Sequence, residues 1–329
     1  MQDAVIVSGV RTAVGAFGKS LRQVEAKELA RQVLEGLMKK TNFPKKLVEE
    51  VIFGHGYVHG GGLNVARISS QLAGFPEEIP AYVVIKACGS SLKAITNATA
   101  SIQTGQNEII VVGGVESMSN VPYLVKNRWG TKFGNIEMED ALMKDGLICA
   151  LGNEHMGMTA ERLAEQYGIS REEQDEFAYN SHKKAAKAME EGKFSNEIIP
   201  VEVQTKKGIE TFAMDESVIN PVDREKLATL KPVFKKDGDI TAGNACPMND
   251  GAAALLMMSA ERAIKEGLKP LLKVKAYASA GVHHSVMGIG PVPATKKALE
   301  KANLTLDDIG LIELNEAFAA QAIAVMREL

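Results

Sequence analysis

The sequence predicts an α/β fold, and three features of its pattern carry that prediction. Short β-branched runs alternate with amphipathic stretches through the first third, the alternation lapses between about Asn120 and Asn249, and it resumes after Asp250. Strand-helix-strand repetition of this kind builds a mostly parallel, buried sheet. A layered α/β body interrupted by a mainly helical insertion is the simplest arrangement.

Taken in order, Ala4–Ser8, Val48–Gly54, Ala81–Ile85 and Glu108–Val112 read as strands, with helices over Ala26–Lys40, Asn64–Ala73 and Ser90–Gln103 between them. The middle of the chain carries more charge and two long helical segments. Ser170 with Glu173 makes a capping box that opens the second of these, Arg171–Glu191. Beyond Asp250 the apolar segments are Ala252–Ser259, Ala263–Gly267, Leu271–Ala280, Ala294–Ala302, Ile309–Leu314 and Glu316–Glu328.

A weak internal repeat runs through two of these regions. Lys40-Thr-Asn42-Phe43 aligns with Lys301-Ala-Asn303-Leu304, and Val48-Glu-Glu-Val51 with Ile309-Gly-Leu-Ile312, both at an offset of 261 (303 − 42 and 309 − 48). A repeat implies two similar α/β halves. Leu329 then corresponds to Ile68 (329 − 261), so the second half is expected to be incomplete, and the counterpart of Cys88 falls at about position 349.

Composition excludes several classes. The chain has 329 residues, 45% of them hydrophobic, enough to fill one large core or two adjoining ones. A net charge of −3 gives no broad positive field for nucleic acid or an anionic membrane. Cys88, Cys149 and Cys246 are too few and scattered for a disulfide framework or a paired metal site, so no metal is expected and a reducing compartment fits. The amino terminus has no basic, apolar leader, and no run of about eighteen apolar residues occurs; a soluble, cytoplasmic protein is expected.

Cys88 stands between the run Tyr82-Val-Val-Ile85 and Gly89-Ser90-Ser91-Leu92, after which apolar residues at 92, 95, 98 and 102 keep helical spacing. The thiol therefore belongs to a strand-to-helix turn, where backbone amides and the helix dipole favour a thiolate. A buried core cysteine is the commoner fate of a free thiol, but the turn favours a nucleophile. Asn315-Glu316-Ala317-Phe318 follows the strand-like Leu311–Leu314. Asn315 is either a helix N-cap, the reading its residue type favours, or an amide that orients a water or polarises a carbonyl. Thr241–Ala253 and Met287–Pro291 are small and turn-rich, either walls for a narrow ligand or tight connections. His155 opens a helix in the insertion, a position where a lone histidine is more often structural than catalytic. No phosphate-binding loop, dinucleotide fingerprint or metal signature occurs.

Together and in this order, Cys88–Leu92, Gly113-Gly-Val-Glu116-Ser-Met118, His155-Met156-Gly157, Thr241–Ala253, Met287–Pro293 and Asn315–Phe318 resemble the thiolase family, and most closely its acetyl-CoA acetyltransferase branch. The resemblance spans Val5 to Leu329 and implies a layered αβαβα fold. Its domains would be residues 1–119 with 250–268, a coenzyme A-embracing loop domain at 120–249, and an incomplete α/β domain at 269–329. Cys88 would carry the acyl group as a thioester, and Asn315 would hold the water that donates to the thioester oxygen of the second acyl-CoA. Leu147, His155, Met156, Phe234, Ala242, Ala245, Cys246, Met287, Ala317 and Phe318 would surround pantetheine and acyl group. Coenzyme A thioesters, acetyl-CoA and acetoacetyl-CoA, would be substrates, with no separate cofactor, in a homodimer or homotetramer serving fatty acid metabolism.

Three departures stand against the family pattern. Cys246 replaces the usual serine, Asn220 stands where the branch often carries arginine with Arg224 nearby to replace it, and neither a Gly-His-Pro nor a Cys-x-Gly motif occurs. None of the histidines at 55, 59, 155, 182, 283 and 284 matches the first motif. Impaired activity is therefore expected of this chain, and the alternative is a non-catalytic subunit, or one complemented by a carboxyl-terminal polypeptide. A ketoacyl synthase would want two histidines after the cysteine in place of the asparagine motif.

Overall fold

Alternate residues of the predicted strands Ala4–Ser8, Val48–Gly54, Glu108–Val112 and Ala252–Ser259 bury on opposite faces, as a two-residue period demands of a sheet covered on both sides. The computed structural model, which describes residues 2–329, forms strands β1 (Ala4–Thr12), β2 (Glu50–Gly54), β3 (Ala81–Val84), β4 (Ile109–Ser117), β5 (Ile198–Ile199), β6 (Asn249–Ser259) and β7 (Leu272–Lys273). Their order is β5-β1-β6-β4-β2-β3, with β7 also on β1. Helices α1 (Ala26–Thr41) and α2 (Val65–Leu72) share one core with Val5, Val51, Phe53, Val111 and Leu256. The alternate residues Ala4, Ile52, Ile110, Val112 and Met257 pack with Ala94, Ala98 and Ile102 of α3 (Ser90–Thr104).

The fold is mixed α/β, but the sheet is not mostly parallel. Pairings β2–β3, β2–β4 and β1–β5 are parallel, whereas the long central β6 runs antiparallel to both β1 and β4. Apolar periodicity records which face of a strand is buried; it carries no information on direction, so it cannot distinguish this mixed sheet from a parallel one.

These elements belong to the first of two units, which runs to Leu142 and includes Phe194–Ser217 and Met248–Val274. The second unit comprises Met143–Lys193, Val218–Pro247 and Lys275–Leu329. The expected insertion at 120–249 is thus shared between them. In the second unit, α4 (Met156–Tyr167), α5 (Arg171–Glu190), α6 (Pro291–Ala302) and α7 (Ala319–Glu328) are the longer helices. The Ser170 side chain accepts from the Glu173 amide at 3.3 Å and caps α5, but only this half of the expected capping box forms: the Glu173 carboxylate accepts from Arg327 at 2.7 and 2.8 Å instead. Of the expected Leu271–Ala280 strand only β7 forms, and Leu311–Leu314 pairs with no strand among the described residues.

The sequence repeat has a structural echo at the same offset. α1 ends on Asn42 and α6 on Asn303, both left-handed at φ of 50° and 52°. Single-turn 3₁₀ helices follow at Lys45–Leu47 and Leu306–Asp308, again 261 apart (306 − 45). Among the described residues no helix is long and apolar enough to cross a membrane.

Candidate active site

In the first unit, the chain leaves β3 at Val84 and starts α3 at Ser90, so everything between must reverse direction within a few residues. Ala87 adopts a positive φ of 45°, and Gly89 caps the helix. Ser90 ties the turn together: its Oγ accepts from the Lys86 amide at 2.8 Å and donates to the Ala87 carbonyl at 2.7 Å. The Gly89 amide donates to the Lys86 carbonyl at 3.0 Å. Cys88 is left exposed one residue ahead of the N-cap, at the positive end of α3.

Glycine decides how close α3 comes to the sheet. A Cβ on Gly54 would lie 2.3 Å from the Ser91 amide nitrogen, and one on Gly114 1.7 Å from Ser91 Oγ. Neither position, the end of β2 nor the middle of β4, admits a side chain while α3 starts where it does. Just past Gly54, buried His55 sets Nδ1 3.0 Å from the Val115 carbonyl and 3.0 Å from Glu116 Oε1. Burial works against the His55 charge, but the hydrogen bond and charge of Glu116 outweigh it and raise its pKa. The same carboxylate accepts from the amides of Gly56 (2.8 Å) and Tyr57 (3.2 Å), which pins the loop after β2.

In the second unit, Asn315 is exposed, and its carboxamide makes no hydrogen bond among the described residues. It is not the N-cap: α7 begins at Ala319 with Phe318 as N-cap and no side-chain capping bond. The segment after Asn315 is instead laid along Asn244–Cys246. The Ala319 amide donates to the Asn244 carbonyl (2.9 Å) and the Cys246 amide to the Ala317 carbonyl (3.0 Å), while Ala245 and Phe318 form an antiparallel bridge. Glu316 accepts from Ser181 Oγ of α5 at 2.6 Å.

Behind this strap lies an apolar cluster. Phe318 is buried with Ala160, Leu163, Ile240 and Ile323, and Met156, Phe234, Ala245, Met287 and Ala317 pack partly buried against it. His155 joins through its ring, stacked on Phe234 with centroids 4.4 Å apart, and Phe234 meets Phe318 edge-on at 6.1 Å. His155 Nδ1 accepts from the Gly157 amide at 3.0 Å and so caps α4. That bond needs the neutral ring, and burial lowers the His155 pKa in the same sense.

Of the residues singled out in sequence, Met156, Phe234, Ala245, Met287, Ala317 and Phe318 converge here, with His155 beside them and Cys246 on the strap. Ala242 is exposed in the turn before Asn244, and half-buried Leu147 ends the short helical turn Met143–Leu147 outside the cluster. Cys88 lies in the first unit. Arg224 is already engaged, bonding Glu176 at 2.6 and 2.8 Å, holding that carboxyl down to about 2, and stacking 3.6 Å from the Tyr179 ring centroid. A cavity of about 500 Å³ beside it is lined by Tyr179, Lys183, Lys187 and Asn220.

In sequence, Glu161 and Asp175 carry no mark, and Gly54, Gly114 and Asn244 stand only inside the segments Val48–Gly54, Gly113–Met118 and Thr241–Ala253, with no role of their own. Glycines in strands facing a small-residue helix start are a usable signal for close packing. Glu161 and Asp175 sit on amphipathic helices with nothing local to mark them, yet both are buried. Glu161 accepts from the amides of Asp239 (3.0 Å) and Ile240 (3.1 Å).

Comparison with known proteins agrees with this architecture. Residues 4–261 match the family model "Thiolase, N-terminal domain" and residues 268–329 match "Thiolase, C-terminal domain". A probable acetyl-CoA acyltransferase of Staphylococcus aureus (strain COL) is 47% identical over 331 residues, covering 100% of this chain and 84% of the relative. The crystal structure of the Bacillus anthracis acetyl-CoA acetyltransferase superposes with a TM-score of 0.97 at 43% identity, over 100% of this chain and 83% of that one. Human mitochondrial 3-ketoacyl-CoA thiolase gives 0.95 at 39% identity, over 100% and 84%. Both domain models are matched, so the expectation of an impaired, non-catalytic or complementing subunit draws no support from these likenesses.

Proposed function

The chain belongs to the thiolase family, and on that premise we propose that it is an acetyl-CoA C-acetyltransferase with Cys88 as its acyl carrier. The observation that carries the reading is the Cys88 turn: an exposed thiol one residue ahead of a helix N-cap, on a loop whose own hydrogen bonds are closed within Lys86–Ser90. The Cys88 thiolate attacks the carbonyl of acetyl-CoA, the carbon–sulfur bond to coenzyme A breaks, and free coenzyme A leaves with a proton. A second acetyl-CoA gives up a methyl proton to solvent water, and the resulting enolate attacks the carbonyl carbon of the Cys88 thioester. Acetoacetyl-CoA forms as Cys88 sulfur departs. Thiolysis is the same sequence reversed.

Asn315, with its amide unengaged, is assigned to hold the water that donates to the enolate oxygen. The apolar cluster around Phe318, Met287 and Phe234 suits an uncharged pantetheine arm and a short acyl group. Leu147, His155, Met156, Ala242, Ala245, Cys246 and Ala317 complete the assigned contacts, residues 120–249 being the segment assigned to embrace coenzyme A. Coenzyme A thioesters are thus substrates, and the scheme calls for no separate cofactor. A cytoplasmic homodimer or homotetramer belongs to the same proposal, supported by exposed Ile85, Leu92, Trp129 and Phe133 in the first unit.

Incubation with acetyl-CoA followed by peptide mass mapping tests this. One acetyl group is expected on Cys88 and none in Cys88→Ala; wild-type protein unmodified at Cys88 overturns the assignment.

A further inference from the structure

We propose that Asn244, held by Asp175, is a positioning residue for the reaction proposed above, on which this inference rests: it fixes the backbone that mounts Asn315. The side chain of Asn244 is nearly fully buried and nearly fully used. Its Oδ1 accepts from the Thr241 amide at 2.8 Å, and its Nδ2 donates to Asp175 Oδ1 and to the Asp239 carbonyl, both at 3.0 Å. Asp175 is buried as well, its other oxygen accepting from Arg171 Nε at 2.8 Å. Arg171 in turn donates to the carbonyls of Leu227 and Leu230, at 2.9 Å each.

These bonds set the Asn244 main chain, and the main chain sets the strap. The Asn244 carbonyl receives the first amide of α7, and the next residues receive Ala317 and Phe318. Asn315 has no side-chain bond of its own to orient it, so its aim is inherited from this backbone. A buried carboxylate–amide pair 69 positions apart, both ends of which are satisfied, is rigid because losing one partner strands the other in a dry interior.

The test compares Asn244→Ala and Asp175→Asn with wild type, each normalised to the amount of Cys88 that acetyl-CoA acetylates. Exchange of the acetyl-CoA methyl protons into deuterium oxide reports enolate formation separately from acetylation. Asn244→Ala is expected to lower kcat for acetoacetyl-CoA thiolysis and the exchange rate together by roughly a hundredfold, the scale of a misplacement near 1 Å, with KM altered less than about threefold. Asp175→Asn preserves shape but keeps only one of the two acceptor oxygens, setting its NH2 against the donor of Arg171 or of Asn244, and is expected to cost roughly tenfold. Unchanged kcat in both variants per acetylated Cys88 overturns the proposal, as does a fall in acetylation that accounts for the whole loss, because that is fold damage. Wild-type protein that fails to acetylate Cys88 overturns the proposed function itself, an outcome distinct from either.

Discussion

The Cys88 turn and the Asn315 strap each present the exposed group assigned to the chemistry, but they are fixed by opposite means. The turn is held by shape: Gly54 and Gly114 let α3 press on the sheet at distances that exclude even a methyl group. The strap is held by polar bonds, Asn244 and Glu161 satisfying main-chain groups from inside a half-apolar cluster. Shape fails abruptly when volume is added, whereas a hydrogen-bonded segment fails by degrees as partners are removed. Substitutions that separate the exposed group from its support should therefore behave differently in the two regions.

Removing the exposed groups gives the largest effects. Cys88→Ala is expected to abolish acetyl transfer, a loss beyond about 10⁴-fold in kcat, because no other group carries the acyl intermediate. Its unfolding midpoint should match wild type, since Cys88 is exposed. Asn315→Ala is expected to lower kcat by about 10²–10³-fold, the usual consequence of losing one donor to a developing oxyanion. Cys88 acetylation should survive in that variant, which separates the two assignments in a single-turnover measurement.

Next in size is the support of the turn. Gly54→Ala brings a methyl group within 2.4 Å of two backbone atoms of α3, which have no flexible end to yield. A loss of about 1–3 kcal/mol in denaturant unfolding is expected, together with slower alkylation of Cys88. If Gly54→Ala unfolds like wild type and alkylates at the same rate, the turn is not held by shape.

The sequence disclosed local facts well and pairings across the chain poorly. Ser170 capping α5 and the Asn42 and Asn303 helix ends are decided by neighbours within a few residues, and each is where the pattern put it. The antiparallel course of β6 was hidden because Ala254, Leu256 and Met258 alternate identically in either direction. Asn315 looked like a helix cap because residue type favours it, but Ala245 and Cys246, 70 positions earlier (315 − 245), claim the following residues and delay α7 to Ala319. Asp175 bonds Arg171 four residues earlier on the same helix, but its bond to Asn244, 69 positions away, is set by the fold alone.

The smallest expected effects set one histidine from each region against the other. Glu116 raises the pKa of His55, so the folded protein binds a proton there more tightly than the unfolded chain. Its contribution to stability is full below the unfolded value of 6.5 and is lost as pH rises through the raised one. Burial lowers the pKa of His155, which must be neutral to accept from Gly157. That contribution is full above 6.5 and is lost as pH falls through the lowered value. Asparagine keeps the required function at each position without titrating: its amide N–H replaces the Nδ1 donor of His55, and its oxygen replaces the Nδ1 acceptor of His155, at an N-cap asparagine favours. His55→Asn should therefore flatten the stability profile on the alkaline side of 6.5, and His155→Asn on the acid side. Denaturant midpoints measured across pH 5 to 8, the range in which histidine charge normally changes, check both slopes. Flattening on the same side in both variants would contradict the opposite environments drawn for the two rings.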